Sequence, residues 1–535
     1  MKKKKLLPTR PLHNDTEADR RPVAVIDIGS ASIRLEIAQS SADGHIETLD
    51  FLQQALGIGH DSFTLGTIRR STIESCVAIC NQFGAVIREY GIVDQSRISV
   101  IATSAVREAA NRDAFIDRIH IACGLTVRIL EETDVARFTY LSYREQFPAQ
   151  SSRGEDDVLL IEMGGGSTDV LHLQHGTVSQ ASNFALGSFR LLQTIDQCNT
   201  PADRMNQVID LNCAQTVSQI RKSIPAEIPV RLVTHGSDAR FAARELVTVK
   251  ERNGINRIDL KKLAQLSEET LSMSVDELAL RHGIPYAEAE TVGPALRMYV
   301  LLAKALDRKE VTVTNVSMRS GVVIEMTQRH RWVEFFSNQV VRPALEIGRH
   351  YHVDELHVNR VAQFAVRLFD ELQHEHKLTS WHRLLLTVAS LLHDIGSYVS
   401  PRRHHKHSYY LILNSDLFGL TRKEIQIVAM VARYHRRSPP KPTHDGYFDV
   451  TNEERVVIIK LAALLRVADA LDKSDTQRIK NIRFDRAPGE LIIIAAGVND
   501  VTIENMALHE KGTLFEDVYG LKVRICTRNT RDGQR

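Results

Sequence analysis

Two glycine-rich stretches of this chain follow apolar, β-prone runs and carry acids and hydroxyls. In the later stretch the apolar run ends in Glu162, and three glycines, two hydroxyl residues and a second acid follow: Gly164, Gly165, Gly166, Ser167, Thr168 and Asp169. Glycines after a strand let backbone N–H groups approach an anion, and hydroxyls add donors. Carboxylates beside phosphate oxygens suit Mg²⁺. The stretch therefore predicts a phosphate and magnesium site.

The earlier stretch, residues 23–32, repeats this order of residue types. An apolar run ends in Asp27, Ser30 and Ser32 follow, and the alternating residues beyond predict the partner strand of a hairpin. One glycine-rich turn is weak evidence for phosphate binding, because such turns are common. Two such loops about 135 residues apart resemble the duplicated halves of an actin-like ATPase-type fold, in which phosphate is gripped between the halves.

Two arginines are further candidates for anion binding. The predicted strand 98–102 runs into a helix whose first turn contains Arg107, and a cation there opposes the helix dipole unless an anion lies nearby. Pairing with a neighbouring acid is the alternative explanation. Arg190, in another strand-to-helix region, is a second cation that can face phosphate. The acids at 131–134 begin a helix, and satisfying its dipole explains them equally well.

A third group of candidates is histidine-rich. Residues 350–444 hold 12 of the 22 histidines, which indicates metal or anion chemistry. Four residues from several predicted helices can bind one or two divalent ions, and the alternative for any single histidine is a satisfied core residue: His357, His393, Asp394 and Asp469. His407 and His435 are further histidines of this region. Residues 401–442 carry nine Lys/Arg against two acids, a charge that can guide a polyanion.

The elements that must position these residues change along the chain. Strand, loop and helix alternate up to about residue 320, which predicts an α/β domain pair. The histidine-rich region is helical, and a small α+β segment ends the chain. We predict a tail at 1–21, domain I at 22–135, domain II at 136–325, a helical domain at 326–480 and a C-terminal domain at 481–535, with a polar linker at 151–157.

Bulk composition excludes several classes of protein. The 535 residues contain 68 Lys/Arg and 66 Asp/Glu, so the net charge indicates no particular partner. Six cysteines without a CxxC pair are typical of a reduced, cytoplasmic protein. No signal peptide and no apolar run of membrane-spanning length is evident. Aromatic residues are sparse among the basic runs, which argues against base-stacking contacts with DNA.

At these motifs the chain resembles the exopolyphosphatase / guanosine pentaphosphate phosphohydrolase (Ppx/GppA) family. The resemblance runs from about residue 23 to the C-terminus. The segments that carry it are Asp27–Ser30, Ala102–Ala109, Met163–Asp169, Leu186–Gly187 with Arg190, and His393–Gly396. It implies two actin-like (ribonuclease H-like) domains, an all-α HD-type third domain and a small α+β C-terminal domain. It also implies a homodimer.

The resemblance assigns roles by position. It implies Mg²⁺-dependent hydrolysis of a terminal phosphate of polyphosphate or of the 5′ γ-phosphate of guanosine pentaphosphate. The phosphates would be held by Ser30, Ser32, Gly164, Gly165, Gly166, Ser167, Thr168 and Arg190. The magnesium ligands would be Asp27, Glu162 and Asp169. Arg107 would neutralise the phosphate being cleaved. A second divalent ion would belong to the HD-type residues.

The chain departs from the family pattern at several positions. The family usually has Asn at Ala31, Asp at Glu162 and Glu at Asp169, and residues 235–238 replace its Gly-Thr loop. The family's catalytic glutamate is Val135 here, and valine cannot orient water or accept a proton. Glu132 and Asp134, within one turn, are the predicted substitutes, although a displacement of 1 Å can cost about 100-fold in rate.

Three functions follow from these observations. The first, which we predict, is hydrolysis of a terminal phosphoanhydride in the actin-like cleft. The second is an HD-type metal-dependent phosphohydrolase that uses the histidine-rich region. The third is a catalytically impaired regulator that binds polyphosphate or a guanosine nucleotide.

Overall fold

The computed structural model describes residues 21–41, 45–147, 157–198, 200–201, 204–224, 229–247, 254–436, 438–473 and 477–527. The chain forms two compact units, residues 1–329 and 330–535. Nearly all of the predicted tail, most of the predicted linker at 151–157 and Arg437 of the basic run lie outside the described residues.

The first half of unit one is built on a five-stranded sheet. Its elements are β1 (Val23–Ile28), β2 (Ser32–Ser40), β3 (Ile46–Ala55), α1 (Ile58–Leu65), α2 (Arg70–Glu89), β4 (Ile98–Ala102), α3 (Ser104–Arg107), α4 (Arg112–Cys123), β5 (Val127–Ile129) and α5 (Glu132–Gln146). The strand order is β3-β2-β1-β4-β5. β1 pairs antiparallel with β2 and parallel with β4. All six residues of β1 are buried, so this central strand anchors the core.

The second half of unit one repeats the arrangement on a six-stranded sheet. Its elements are β6 (Asp157–Met163), β7 (Thr168–Gln174), β8 (Thr177–Phe184), α6 (Ser188–Gln197), α7 (Met205–Ser223), β9 (Val230–Thr234), α8 (Ser237–Leu246), β10 (Asn256–Asp259), α9 (Leu260–Ser272), α10 (Val275–His282), α11 (Tyr286–Ala305), β11 (Glu310–Val313) and α12 (Met318–Thr327). The strand order is β10-β11-β9-β6-β7-β8. Read from β8 to β11, this is the order of the first sheet, so the two halves are structural duplicates.

Helix α12 connects the two halves of unit one. It follows the last strand of the second sheet, packs against α5 and contacts β1. Its Arg319 Nε donates to Glu36 Oε2 on β2 at 2.8 Å. Each half has its own hydrophobic core, and the ends of both sheets that carry the glycine loops open towards the same space.

The second unit is mainly helical. Its elements are α13 (Arg329–His350), which begins at the last residue of unit one, α14 (Glu355–Glu371), α15 (Gln373–His376), α16 (Ser380–Leu392), α17 (His404–Leu413), α18 (Arg422–Arg433), α19 (Asn452–Ala470), β12 (Asn481–Ala487), β13 (Glu490–Ala496), α20 (Thr502–Lys511), α21 (Thr513–Tyr519) and β14 (Lys522–Thr527). Helix α19 packs against α14, α16 and α18, and its residues 461–470 are all buried. The three strands form one sheet in the order β12-β13-β14.

Two further features concern the helices and the cysteines. Among the helices of the described ranges, none combines the length and the apolar character needed to cross a bilayer. All six cysteines are free thiols.

Candidate functional site

The two predicted glycine loops line one cleft in unit one. A Cβ atom added to Gly165 would lie 2.3 Å from Ser30 Oγ, so the loop of the second half touches the loop of the first half. Only glycine permits this approach, because a side chain there would displace Ser30. Most of the residues predicted for phosphate, magnesium and catalysis line this cleft: Asp27, Ser30, Ser32, Arg107, Glu132, Glu162, Gly164, Gly165, Gly166, Ser167 and Asp169.

Each loop is the turn of a hairpin that begins at the end of a central parallel strand. In the first hairpin Asp27 faces Arg34 across β1 and β2. In the second hairpin Glu162 faces Asp169 across β6 and β7. Directly opposed residues of antiparallel strands lie on one face of the sheet, and like charges there repel. The two halves therefore place an acid–arginine pair and an acid–acid pair at equivalent positions.

The acid of the first pair is well neutralised. Asp27 Oδ2 lies 3.8 Å from Arg34 Nη1 and 3.5 Å from Arg319 Nη1. Arg319 also bonds Glu36. Asp27 is buried, and buried carboxylates require such partners. The arginines belong to β2 and α12, so two distant segments balance this charge.

The second pair retains an excess of negative charge. Burial opposes ionisation of Glu162, but His235, whose Nδ1 lies 3.1 Å from Glu162 Oε2, lowers the pKa of this carboxyl to about 2. Burial raises the pKa of Asp169 to about 6, opposed by a 2.7 Å hydrogen bond from Asn183 and reinforced by the charge of Glu162. A divalent cation between the two carboxylates would relieve this repulsion, so these residues fit Mg²⁺ by their donor chemistry.

Arg107 and Glu132, predicted from the sequence, both line the cleft. Arg107 Nη1 donates to the carbonyl oxygen of Leu130 at 2.8 Å, and its Nη2 lies 3.6 Å from Glu132 Oε1. The side chain of Glu132 is 56% exposed. Arg107 is thus held by a carbonyl and a carboxylate, with its guanidinium at the cleft wall.

Three predicted residues do not line the cleft. Asp134 is buried, caps the start of α5 and bonds Arg128 Nη2 at 2.9 Å. Thr168 Oγ1 donates to the carbonyl of Leu186. Arg190 Nε donates to the carbonyl of Gly166 at 2.9 Å, and its Nη2 bonds Glu108. The structure therefore gives these side chains partners that stabilise the loops and the helix start.

The cleft also contains residues that sequence reasoning did not select as site residues. Arg34, Arg240 and Arg319 bring three more cations, and Asp238 brings another acid. Burial, opposed by a 2.9 Å hydrogen bond from Thr291, raises the pKa of Asp238 to about 7. The sequence did contain a signal for Asp238, because it belongs to the loop at 235–238 that departs from the family pattern.

The second unit brings the four predicted metal ligands together and adds two more. The ligand atoms form two groups, His357 with His393 and Asp394, and Asp394 with His404 and His435. Asp469 Oδ1 lies 3.9 Å from His357 Nε2. We name the following six residues the histidine cluster: His357, His393, Asp394, His404, His435 and Asp469.

A glycine places one helix of the cluster. A Cβ on Gly396 would lie 2.2 Å from the carbonyl oxygen of His404, so α17 approaches the turn after Asp394 directly. Ser408 Oγ fastens this contact, since it accepts from Gly396 N at 3.0 Å and donates to the carbonyl of His393 at 2.6 Å. The residue of α17 that reaches the cluster is His404. His407, which the sequence suggested, belongs to neither group of candidate ligands.

Comparison with known proteins identifies the family. A family model described as "Ppx/GppA phosphatase family" matches residues 22–330, and one described as "Ppx/GppA phosphatase, domain III" matches residues 341–497. The helical region predicted to be HD-type thus matches the family's own third domain.

Individual relatives are distant but cover most of the chain. The guanosine-5'-triphosphate,3'-diphosphate pyrophosphatase of Pseudoalteromonas translucida is 24% identical over 456 residues, which is 83% of this chain and 86% of the relative. The protein of the same name from Photobacterium profundum is 22% identical, over 84% of this chain and 88% of the relative.

A solved structure shares its fold with a large part of this chain. The exopolyphosphatase from Cytophaga hutchinsonii ATCC 33406 matches with a TM-score of 0.51 and 19% identity, over 58% of this chain and 98% of that chain. The predicted actin-like architecture is confirmed at this level. The predicted enzyme class, a phosphoanhydride hydrolase, is confirmed as well, and the chain belongs to the Ppx/GppA phosphatase family.

Proposed function

We propose that this chain hydrolyses a terminal phosphoanhydride in the cleft of unit one, with inorganic polyphosphate or guanosine pentaphosphate as substrate. The contact between the loops of Ser30 and Gly165 is the observation that carries this proposal. It lets two sets of backbone N–H groups and hydroxyls surround one anion. The names of the relatives, a guanosine-5'-triphosphate,3'-diphosphate pyrophosphatase and an exopolyphosphatase, support the two substrates.

The phosphate-binding groups are backbone N–H groups of residues 164–167, the hydroxyls of Ser30 and Ser32, and the guanidinium of Arg107. Ser32 Oγ is buried and has no hydrogen-bond partner among the described residues. A buried hydroxyl without a partner is destabilising, and a phosphate oxygen at the cleft would satisfy it. Arg107 then stabilises the negative charge on the terminal phosphate that is being cleaved.

Glu162 and Asp169 would hold Mg²⁺, with Asp27 as the ligand contributed by the first half. The ion would neutralise the phosphate oxygens and orient the anhydride. The acid–acid pair across β6 and β7 supports this assignment, because it lacks the arginine that faces Asp27 in the first half. His235 keeps Glu162 ionised, which is the state that binds a cation.

Glu132 is the carboxylate that we propose orients the attacking water in place of the family's glutamate at Val135. Glu132 lines the cleft and is exposed. The carboxylate of Asp134 instead pairs with Arg128 and caps the start of α5. The contribution of the chain is otherwise positioning and electrostatic stabilisation. Asp134 is assigned a structural role.

Phosphate release from both substrates, with Mg²⁺ present, tests the proposal. We expect turnover by the natural protein, a large loss in Glu162→Gln and Glu132→Gln, and retention in Asp134→Asn if that variant folds. Glu89→Gln, at an exposed position on α2, is the matched control. Tight binding of either substrate without turnover would establish the regulator instead. Turnover that survives Glu162→Gln would contradict the assignment of the cleft.

We further propose the domain boundaries predicted above, an HD-type character of the third domain with a second divalent metal, and a homodimer. We also propose a cytoplasmic location and partners that include neither DNA nor a membrane. The histidine cluster supports the second metal. Sedimentation of the purified chain tests the dimer, and metal analysis tests the ion.

A further inference from the structure

We propose that unit two binds single-stranded RNA on a surface formed by two segments, residues 350–352 at the end of α13 and the connection 395–403 between α16 and α17. Bases stack on the exposed rings of this surface, and phosphates contact its arginines. The inference goes beyond hydrolysis in the cleft and beyond a second metal, because it concerns another surface and another ligand. It depends neither on catalysis in unit one nor on a bound ion.

Four rings of the two segments contact one another in a row, and we name them the aromatic surface: His350, Tyr351, Tyr398 and His352. The ring centroids are 4.9 Å apart for His350 and Tyr351, and 5.6 Å apart for Tyr351 and Tyr398. The centroid of His352 lies 5.6 Å from that of Tyr398. The planes of the first two pairs are steeply inclined, at 82° and 67°. Edge-to-face contacts of this kind are favourable, so the rings hold each other in place.

The aromatic surface is open to solvent although its rings are in contact. Tyr398 is 59% exposed, and His350 and His352 are exposed as well. Val399, the next residue after Tyr398, is 55% exposed. Exposed apolar and aromatic groups that stand together, rather than singly, are typical of binding surfaces. The rings are therefore available to a flat ligand.

Both segments have a backbone conformation that side chains disfavour. His352 has a φ of +53° and Arg403 a φ of +61°, and residues other than glycine rarely adopt this left-handed region. Such conformations persist where the surrounding structure determines them, and they are concentrated at functional sites. Ser400 Oγ also accepts from the N–H of Arg402 at 3.2 Å. The rings and the arginines thus stand on a defined backbone.

The acids beside the rings already have partners. Asp354 Oδ1 accepts from the N–H groups of Leu356 and His357 at 2.9 and 3.1 Å, at the start of α14. Glu355 pairs with Arg349, whose Nε lies 3.0 Å from Glu355 Oε1. Because a helix start and an arginine compensate these charges, they oppose an approaching phosphate only weakly.

The cations of the surface, in contrast, are free. The guanidinium groups of Arg402 and Arg403 are exposed and form no hydrogen bond or ion pair among the residues that the structure describes. They follow Tyr398 by four and five residues, so their Cα atoms lie within about 14 and 18 Å of its Cα atom. Free cations beside exposed rings suit a ligand that carries both flat bases and phosphates. Two further exposed cations belong to the same region: Lys406 and Arg436.

The tertiary structure supplies rings that the basic runs lack in sequence. Aromatic residues are sparse within residues 401–442, but the fold places three rings from 350–352 against Tyr398, just before this segment. The combination of rings and cations that single-strand binding requires therefore arises in space.

The shape of the surface favours a strand over a single nucleotide. Small ligands bind in concave pockets that bury most of their area, whereas Tyr398 is more than half exposed. A strand distributes its contacts over successive rings and cations. In a duplex the bases are stacked on each other, so exposed rings reach only unpaired bases. The expected ligand is therefore a single strand.

The edges of the rings favour RNA over DNA. The hydroxyl of Tyr398 has no hydrogen-bond partner among the described residues. The imidazoles of His350 and His352 carry a donor and an acceptor when neutral. Such groups can bond the 2′-hydroxyl, which distinguishes RNA from DNA.

Fluorescence anisotropy of a labelled, unstructured oligouridylate of about 12 nucleotides tests the proposal. The full chain is titrated in low salt with EDTA, so that metal makes no contribution. We expect the natural protein to bind and Tyr398→Ala to raise Kd about 5- to 100-fold, through the loss of one stacked base. Phe448→Ala, which removes a ring that is 78% exposed outside the aromatic surface, is the matched control and should leave Kd unchanged.

Two further variants separate stacking from charge. Tyr398→Phe keeps the ring, so it should retain most of the affinity and narrow the difference between RNA and DNA of equal length. Arg402→Gln and Arg403→Gln should each reduce the slope of log Kd against log salt by about 0.7, since each removes one phosphate contact. If Tyr398→Ala does not fold, His352→Ala replaces it. Absence of RNA binding by the natural protein, or an equal loss in Phe448→Ala, would overturn the proposal.

Other polyanions distinguish an RNA surface from a general anion surface. A DNA strand of equal length should bind more weakly than RNA, and duplex RNA should bind more weakly still. Inorganic polyphosphate has no bases, so Tyr398→Ala should not change any binding of it. An equal loss of polyphosphate and RNA binding in Tyr398→Ala would overturn stacking, and tighter binding of DNA would overturn the assignment to RNA.

Discussion

The cleft of unit one and the histidine cluster of unit two offer different atoms to a cation. The cleft presents carboxylates, hydroxyls and backbone N–H groups, with arginines on its walls. The cluster presents four imidazole nitrogens around one carboxylate. Hard oxygen ligands suit Mg²⁺ and a phosphate chain, and imidazole suits transition metals that bind tightly without a substrate. The chain therefore presents two different sets of side-chain ligands, and each can be disrupted separately by mutation.

The largest effect is expected from Glu162→Gln in the cleft. The amide keeps the shape of the side chain but removes one charge of the acid–acid pair, so phosphate release from polyphosphate or guanosine pentaphosphate should fall about 100- to 1,000-fold. The Mn²⁺ or Zn²⁺ content should stay unchanged. Steady-state phosphate assays and metal analysis of the same preparation check both statements. A lower Mn²⁺ or Zn²⁺ content in Glu162→Gln would contradict the separation of the cleft from the histidine cluster.

Gly165→Ala should have the next largest effect. The new methyl group would lie 2.3 Å from Ser30 Oγ and 2.6 Å from Phe189 Cδ2, so the facing loops must separate. We expect kcat/KM for phosphate release to fall about 10- to 100-fold. The matched control is Gly84→Ala in α2, where the nearest atom is a flexible arginine nitrogen at 3.6 Å. That variant should gain about 0.5–1 kcal/mol of stability without loss of activity. Equal activity of both variants would contradict the facing-loop geometry.

Removal of metal should destabilise unit two. Tightly bound ions stabilise the native state by an amount that depends on their concentration and affinity, so chelation should lower the melting temperature of this unit by about 5–10 °C. Differential scanning calorimetry with and without EDTA measures the shift. Mn²⁺ or Zn²⁺ should restore the original value and Mg²⁺ should not. Full restoration of the melting temperature by Mg²⁺ would contradict the expected preference of the histidine cluster for transition metals.

The smallest effect concerns pH and Asp238. Its pKa is raised to about 7 by burial from an ordinary value of 3.8, so between these values the folded state keeps a proton that the unfolded state has lost. The free energy of unfolding must then decrease as pH rises through this range. We expect Asp238→Asn to reduce this dependence. The decrease in melting temperature from pH 5 to pH 8 should be about 2–6 °C smaller in the variant than in the natural protein. Asp113→Asn, whose side chain is 96% exposed, should leave it unchanged.

Local sequence patterns predicted much of both sites. The apolar runs that end in Asp27 and Glu162 are strands, and the glycines after them are hairpin turns, because burial of β1 and β6 and the turn chemistry are local properties. The strand at 98–102 has the predicted bounds. The pairing of the two loops followed from their similarity, since duplicated motifs fold alike.

The sequence patterns did not predict the site residues whose positions depend on strand register or on the phase of a helix. Arg34 enters the cleft because the length of the β1–β2 turn makes it the partner of Asp27, and Asp238 because β9 ends beside β6. His404 rather than His407 reaches the cluster because α17 begins after Arg403, which has a φ of +61°. Such phases are set by long-range packing, here of Gly396 against α17.

The sequence by itself determined which functional side chains this protein has and which secondary-structure elements carry them. Hydrophobic periodicity, glycine turns and the order of His and Asp residues are properties of short segments, and short segments can be interpreted alone. Only the tertiary structure decided which charges are neutralised and which remain open. Arg319 reaches Asp27 over 292 residues, and His357 meets Asp472 over 115. Electrostatic balance depends on distance in space, and no local pattern encodes it.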